Sequence, residues 1–330
     1  MMNRRMNRRA LLAAAAALPA LRAMPALAAW PDRPVRVIVP FAAGGNADTI
    51  ARLMQPLLQE RLGQPVVVEN RPGAGGSVGA TAVARAQPDG YTLLIGSNGP
   101  LSVNPVVQAR LPYDAAKDFA PVGMAMQVPH CLVVQASSPY RSVADVVAAS
   151  RAQPDALGVG TAGVASATHL SLEAFIAASG AKLLHVPYRG GGAAVPDFVA
   201  GNIPLLFTEF STALPLHRDG KARIVAVAAA ARLAALPDVP TMAEQGVAGF
   251  TAASYVGLLA TGGSPPEALQ KLGEAVSAIV QLPAFQARMT GMGGETASGA
   301  LATPAGFARF IAADLERSRI AAQAAGIRAE

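Results

Sequence analysis

The sequence predicts an α/β fold divided into two domains. Strand-like and helix-like patterns alternate nearly throughout, which argues for largely parallel sheets. Four glycine-rich loops each follow a strand and precede a helix. About 300 residues beyond the N-terminal segment also exceed a usual single core.

The elements follow in order. Val35–Val39 is a short apolar run ending at Pro40, and it reads as a buried strand. A helix over 47–62 follows, with Ile50, Leu53, Met54, Leu57 and Leu58 at spacings of three and four. Strand 66–69, helix 77–86 and strand 91–97 complete the first series. A second series begins with strand 132–135. It continues through helix 142–152, strand 157–160, loop 161–166, helix 167–179 and strand 183–186. After loop 187–192 come helix 193–200 and strands 203–207 and 224–228. Pro237, Pro240 and Gly246 punctuate a connecting stretch before strand 255–259. Three helices close the chain, at 265–281, 283–289 and 303–325. Proline in a first turn marks their starts, with Thr303 as an N-cap. The C-terminal helices are expected to pack back on the first domain.

Residues 1–28 carry the three regions of an export signal. Arg4, Arg5, Arg8 and Arg9 form a basic start, Ala10–Leu21 is apolar, and Ala26-Leu27-Ala28 supplies an A-x-A cleavage site. The apolar run is too short to span a bilayer. The Arg8-Arg9 pair occurs in twin-arginine and ordinary secretory signals alike. The full chain has a formal charge of +6; without Arg4, Arg5, Arg8, Arg9 and Arg22 it is +1. The basic excess therefore belongs to the leader, and nucleic-acid binding loses its main support. Cys131 is the only cysteine, so no intramolecular disulfide can form. Its apolar neighbours Val128, Leu132 and Val133 mark it as a small buried hydrophobe. The four histidines are scattered, without HExxH or CxxC spacing, so no metal and no cofactor is expected.

The loops at 41–48, 73–79, 160–169 and 187–192 lie where ligands of open α/β sheets bind, outside the carboxyl ends of strands. Each bares backbone N–H groups at a helix N-terminus, where an anion is favoured. A carboxylate can be held there without a basic side chain. Asp48, in a first helical turn, either offsets the helix dipole, shapes its loop or orients a water on the ligand. His169 caps or packs as readily as it contacts a ligand. Arg189 either pairs with a carboxylate or lies on the surface. Gly75-Gly76-Ser77-Val78-Gly79 matches the G-x-S-x-G nucleophile elbow in form. That elbow needs a strand running straight into the turn, and Asn70-Arg71-Pro72 intervenes. Ser77 reads better as a helix N-cap or ligand donor. The segment is neither a dinucleotide fingerprint nor a P-loop.

Several motifs together resemble one family. They are Trp30-Pro31-Asp32-Arg33-Pro34, Val39-Pro40-Phe41-Ala42-Ala43-Gly44-Gly45 with Asp48 and Ala51-Arg52, and Val68-Glu69-Asn70-Arg71-Pro72-Gly73-Ala74-Gly75-Gly76. Others are Ala86-Gln87-Pro88-Asp89-Gly90-Tyr91-Thr92-Leu93, Thr168-His169-Leu170, Val186-Pro187-Tyr188-Arg189-Gly190-Gly191 and Leu236-Pro237-Asp238-Val239-Pro240-Thr241. The chain resembles the solute-binding proteins of tripartite tricarboxylate transporters, the Bug family, over essentially its whole length after the leader. The resemblance implies a two-lobed periplasmic binding protein fold of type II-like, Venus flytrap form, with the chain crossing between lobes at least twice. Lobe 1 would comprise 29–130 with 246–330, and lobe 2 131–245. It implies a non-enzymatic, monomeric protein that captures a small organic acid in the periplasm for a membrane permease or a sensor.

Carried onto this chain, the family's ligand contacts fall on Phe41, Ala43, Gly44, Asp48, Gly75 and Ser77, and on Ser97 and Asn98 after strand 91–97. The second lobe would add Thr161, Ala162, Ser166, His169, Tyr188 and Thr208. One departure bears on selectivity. After strand 203–207, where the family usually has Asp, this chain has Thr208-Glu209. That position approaches the far end of the ligand in relatives. Tyr255 stands where Trp is frequent and reads as packing. Two rivals are an exported α/β serine hydrolase using Ser77, which predicts turnover, and an exported scaffold without ligand-driven closure.

Overall fold

A computed structural model describes residues 30–327; the leader and its cleavage site lie outside the described residues. Ten strands and ten helices alternate through them. Strand β1 (Val35–Val39) leads into α1 (Asn46–Leu62), β2 (Val66–Asn70), α2 (Ser77–Ala84) and β3 (Thr92–Gly96). A π-helical turn at Gly99–Val103 runs into α3 (Asn104–Val107). Then come β4 (Phe119–Gln135), α4 (Val143–Ala152), β5 (Gly158–Thr161), α5 (Ala167–Ser179), β6 (Leu184–Pro187) and α6 (Gly191–Ala200). The chain continues with β7 (Leu205–Glu209), α7 (Phe210–Arg218), β8 (Ala222–Val227) and β9 (Ala253–Thr261). It ends with α8 (Pro266–Val280), α9 (Pro283–Gly291), β10 (Glu295–Thr296) and α10 (Pro304–Ala324).

The strands run in the order β2-β1-β3-β9-β4-β7-β5-β6, with β8 and β10 also pairing β4. Only the outer strands are parallel: β1 with β2 and β3, and β5 with β6 and β7. The centre is antiparallel, where β9 pairs β3 and β4, and β4 pairs β7 and β8. The sheet is thus mixed rather than largely parallel, because two strands return without a helical crossover. Strand β4 is also far longer than its predicted segment 132–135. Its residues 119–129 pair β9, and 130–135 pair β7 and β8, so one strand serves both halves of the molecule. Pro121 and Pro129 lie within it, and the β9 register shifts at 121/123 and 124/126. Proline and bulges break the alternation that identifies a strand in sequence. Helix α7, with Pro215 inside it, was likewise absent from the sequence reading.

His130 marks the change of halves. Its N–H donates to Ala252 O at 2.8 Å, its carbonyl accepts from Ala228 N at 2.8 Å, and Ala252 N–H donates to Ala228 O at 2.9 Å. The two crossings of the chain are therefore tied side by side.

The other predicted elements form near their expected bounds for local reasons. Helix α4 starts with a complete capping box between Ser142 and Asp145. Helix α5 is capped by Ser166 and α10 by Thr303. Helix α10 packs on the first half through Phe307, fully buried and 5.8 Å from the Tyr255 ring centroid. Its last turn reaches the second half, where Ala322 joins Leu170 and Ala165 in one apolar cluster. Replacing Phe307 with Ala is expected to cost about 3–5 kcal/mol of unfolding free energy. Urea denaturation measures this, and a loss below ~1 kcal/mol would contradict the clamp assigned to α10.

Candidate functional site

The loops after β1 and β6 meet across the cleft between the halves. Ala42 N–H donates to Arg189 O at 3.0 Å, and Ser211 Oγ donates to Asn46 Oδ1 at 2.9 Å. The approach is so close that only glycine fits. A Cβ on Gly192 would lie 2.3 Å from Ala43 O and 2.7 Å from Gly45 N. Gly75 has φ +60°, and a Cβ there would sit 2.6 Å from Val164 O. These contacts enclose a cavity of about 20 Å³, room for roughly one water.

The first half gives the cavity Phe41 and Gly45 from the loop after β1, with Asn46 and Ala47 from the start of α1. Ser97 and Gly99 follow β3. The second half gives Ala162, Ser166 and Ala167 at the start of α5, with Gly191 at the start of α6 and Glu209 at the end of β7. Ser254 and Val256 of β9 form the remaining wall. Helices α1 and α6 have glycine N-caps, Gly45 and Gly190, without a side-chain cap. Their first turns line the cavity at Asn46, Ala47 and Gly191, and their leading N–H groups carry no side-chain cap. No lysine or arginine lines the cavity.

Of the residues expected at the site, Phe41, Ser97, Ala162 and Ser166 line this cavity. The others stand behind or beside it. Asp48 shapes its loop, accepting from Gly44 N–H at 2.9 Å, Asn70 Nδ2 at 2.9 Å and Arg52 Nε at 3.0 Å. Burial pushes its carboxyl up, but hydrogen bonds from Arg52, Gly44 and Asn70, with the Arg52 charge, outweigh this and hold it below the ordinary carboxylate value. Gly44 is spent on that contact. Ala43 and Gly75 meet the opposite half through backbone. Ser77 is the first residue of α2, and Gly76 is the N-cap, which corrects the capping role read from sequence. Its Oγ donates to Ala74 O at 2.8 Å. Asn98 is tied to β9 and α10 instead, accepting from Tyr255 N and donating to Asp314 at 3.0 Å. Tyr188 donates its hydroxyl to Asp197 at 2.7 Å. The Arg189 side chain is exposed.

Thr161 and His169 belong to a cluster that sequence spacing concealed. His169 stacks on His185 with centroids 4.1 Å apart, and Glu173 Oε1 lies 3.7 Å from His169 Nε2. The donor atoms of the three residues lie within 4.8 Å of one another, a separation compatible with a cation. The hydrogen bonds argue for a structural role instead. His169 Nδ1 accepts Ala165 N–H at 3.2 Å, which leaves its proton on Nε2, toward Glu173. His185 Nε2 pairs with the Thr161 hydroxyl at 2.7 Å. Burial lowers both imidazoles, and His169 helps push His185 down to about 4. The cluster braces Ala165, whose φ of 60° places it in the left-handed region.

The sequence reading noted Glu209 only as a departure and missed Ser254 altogether; no local pattern marks a lone serine on a strand. Together they end a buried hydrogen-bonded line. Ser171 Oγ lies 3.0 Å from His130 Nδ1, and His130 Nε2 lies 2.8 Å from Ser254 Oγ. Ser254 in turn donates to Glu209 Oε1 at 3.1 Å, and Thr208 Oγ1 donates to Oε2 at 3.3 Å. Burial pushes the Glu209 carboxyl above its ordinary value, against hydrogen bonds from its own N–H, Ser254 and Thr208. Burial also lowers His130 to about 3, so this imidazole is neutral.

A proton therefore binds His130 more readily in the unfolded chain. Its contribution to stability is complete above about pH 6.5 and is lost as pH falls toward 3. Unfolding free energy is expected to drop by up to roughly 1.4 kcal/mol per pH unit from this residue, with a shallower slope in His130→Asn. Asp48 acts in a lower window. Its contribution is present above the ordinary aspartate value of 3.8 and is lost as pH falls through its lower folded value, so Asp48→Asn flattens the curve only there. Urea titrations at stepped pH measure both, and parallel wild-type and variant curves would contradict them.

With this geometry in hand, similarity to known proteins is informative. The family model for the tripartite tricarboxylate transporter family receptor matches residues 50–327. A UPF0065 protein of Bordetella bronchiseptica is 38% identical over 270 residues, covering 82% of this chain and 80% of that protein. Protein BugT of Bordetella pertussis is 35% identical over 289 residues, covering 87% and 88%. Among solved structures, Rpa4515 of R. palustris with adipate superposes with a TM-score of 0.87 at 35% identity, covering 91% of this chain and all of that one. The periplasmic binding protein BugD gives 0.87 at 32%, with coverages of 91% and 100%. MatC of Rhodopseudomonas palustris with bound malate gives 0.84 at 32%, with coverages of 88% and 99%. The cleft, its glycine contacts and these similarities agree: the chain belongs to the tripartite tricarboxylate transporter receptor family, the Bug-type solute-binding proteins.

Proposed function

We propose that this protein captures a small carboxylate in the cleft and delivers it to a membrane permease of the tripartite tricarboxylate type or to a sensor. The observation that carries the reading is the pair of helix N-termini without side-chain caps, α1 and α6, whose first turns line one small cavity from opposite sides. Such ends stabilise an anion, and closure strengthens each N–H bond by excluding water. The adipate and malate of the two related structures are carboxylates, in keeping with this chemistry.

The lobes are 29–130 with 246–330, and 131–245, hinged where β4 and the chain before β9 run together at His130. The enclosed volume is smaller than a dicarboxylate, so the lobes part to admit ligand and close on it. The fourteen positions carried over from the family act in two ways. Phe41, Ser97, Ala162 and Ser166 touch ligand, and the remainder hold the loops that present backbone amides. Residues 1–28 are a cleaved leader, and the mature protein is a periplasmic monomer without enzymatic activity. Ser77 gives little support to a hydrolase, because its hydroxyl is committed to Ala74 O.

Thermal unfolding of the chain from Ala29, stripped of co-purified ligand by unfolding and refolding, tests this against a panel of organic acids. An acid at a hundredfold over its dissociation constant is expected to add about 2.7 kcal/mol of stability. No shift with any acid would overturn the reading. The same acid is expected to bind Gly192→Ala at least ~10-fold more weakly, because the added methyl props the cleft open against Ala43 O. The unliganded variant should be no less stable than wild type, since alanine is the better helix former. Equal affinity would contradict the closure assigned to this contact.

A further inference from the structure

Two left-handed turns meet across the cleft, one from each half. In the first half, Ala74, Gly75 and Gly76 take φ of 45°, 60° and 97°. Ala74 O anchors that turn, accepting from Ser77 Oγ at 2.8 Å and from Asn104 Nδ2 and Gln108 Nε2 at 3.4 Å. In the second half, Gly163 has φ 120° and Ala165 has φ 60°. The turns touch where a Cβ on Gly75 would lie 2.6 Å from Val164 O and 2.8 Å from Ala165 O.

The two turns meet the same strain differently. Gly75 takes left-handed backbone freely. Ala165 does not, because its Cβ crowds the following carbonyl. Its methyl nonetheless has a place. Ala165 is 1% exposed and clusters with Leu170 of its own half and with Val103, Val107 and Ala322 of the other. A strained residue therefore sits buried between the halves, and side chains behind it hold it there. Ala165 N–H donates to His169 Nδ1 at 3.2 Å. Gly163 N–H donates to Thr161 Oγ1 at 3.2 Å, and that hydroxyl pairs with His185 Nε2 at 2.7 Å. The stacked imidazoles thus hold one loop amide directly and a second through Thr161.

We infer that His169 is a positioning residue for closure of the cleft. Its Nδ1 keeps the Ala165 turn in the left-handed form that fits Gly75 and seats the Ala165 methyl among Val103, Val107 and Ala322. Without that acceptor the turn relaxes, the Val164 and Ala165 carbonyls leave Gly75, and the halves close less often. His169 acts here from behind its loop, through Ala165 and not through the solute. The inference rests on the closing cleft proposed above, and it is independent of which solute is bound.

Spin labels on Val67→Cys and Val199→Cys, exposed positions in the two halves, test this by pulsed-EPR distances. The native Cys131 is fully buried and stays unlabelled. Refolded protein is measured without ligand, and again with adipate or malate added. His169→Phe keeps a ring against His185 but has no acceptor, and the ratio of closed to open protein is expected to fall at least ~5-fold. His169→Asn removes the ring but sets an amide oxygen where Nδ1 stands, and it should retain the wild-type ratio. In an Ala165→Gly background, where the turn needs no brace, His169→Phe should change the ratio less than ~2-fold. Equal closed fractions in wild type and His169→Phe under every condition overturn the inference. So does an equal loss in His169→Phe and His169→Asn, or an equal loss in the alanine and glycine backgrounds, the result expected of a direct solute contact. If His169→Phe does not fold, amide hydrogen exchange of the wild type decides. Protection of the Ala165 amide supports the brace, and exchange as fast as in exposed loops overturns it. Closure that responds to the variants while no acid binds would leave this inference standing and remove the carboxylate reading.

Discussion

The backbone of Phe41–Gly45 touches the backbone of Arg189–Gly192, and the rest of the site depends on that approach. The hydrogen bond from Ala42 N–H to Arg189 O spans the cleft without a side chain. Gly190, at φ +135°, would carry a Cβ 2.9 Å from Ala42 N, and Gly192 would carry one still closer to Ala43 O. A single methyl at either position holds the halves apart. Because the two loops also begin α1 and α6, the same approach brings two helix N-termini to one point. Geometry and electrostatics are therefore set by one contact.

That arrangement explains how an anion site is built without basic side chains. Asp48 looks out of place at the start of α1 beside such a site, yet it fixes Gly44 and Asn70 and is neutralised by Arg52. The charge on Arg52 is thus consumed locally. Partial charges on fixed amides remain at the cavity, and they cost no side-chain entropy to order. Glu209 is the exception, a buried carboxyl at the N-terminus of α7 that accepts from the Ser254 and Thr208 hydroxyls.

The chain crossings and the site are joined through His130. Its backbone ties the two chain crossings, and its imidazole lies between Ser171 of α5 and Ser254 of β9. Ser254 is also a partner of Glu209, so this side-chain line runs from α5 past the chain crossings to the cavity wall. Burial keeps the imidazole neutral, so the joint carries no charge that opening would have to solvate. Helix α10 adds a second tether, with Phe307 rooted in the first half and Ala322 reaching Leu170 in the second.

Local chemistry made much of this legible. The 3.6-residue spacing of Ile50, Met54 and Leu58, the Ser142 and Ser166 caps and the glycine loops identify most helices and the loops that form the cleft. Family motifs extend this to the two-lobed fold. What the sequence leaves hidden is non-local. The length of β4 escapes because Pro121, Pro129 and two register shifts erase a strand's alternation, and only pairing with β9 holds it straight. The His169–His185 stack joins residues on α5 and β6 that no spacing rule connects. Ser254 is an ordinary residue until folding turns its hydroxyl toward Glu209. The sequence by itself determined the elements and where an anion would be welcome, because caps, periodicity and helix N-termini act within a few residues. Only the tertiary structure decided that Glu209 and Ser254 line the same cavity as the starts of α1 and α6, because burial and pairing depend on what every other element brings there.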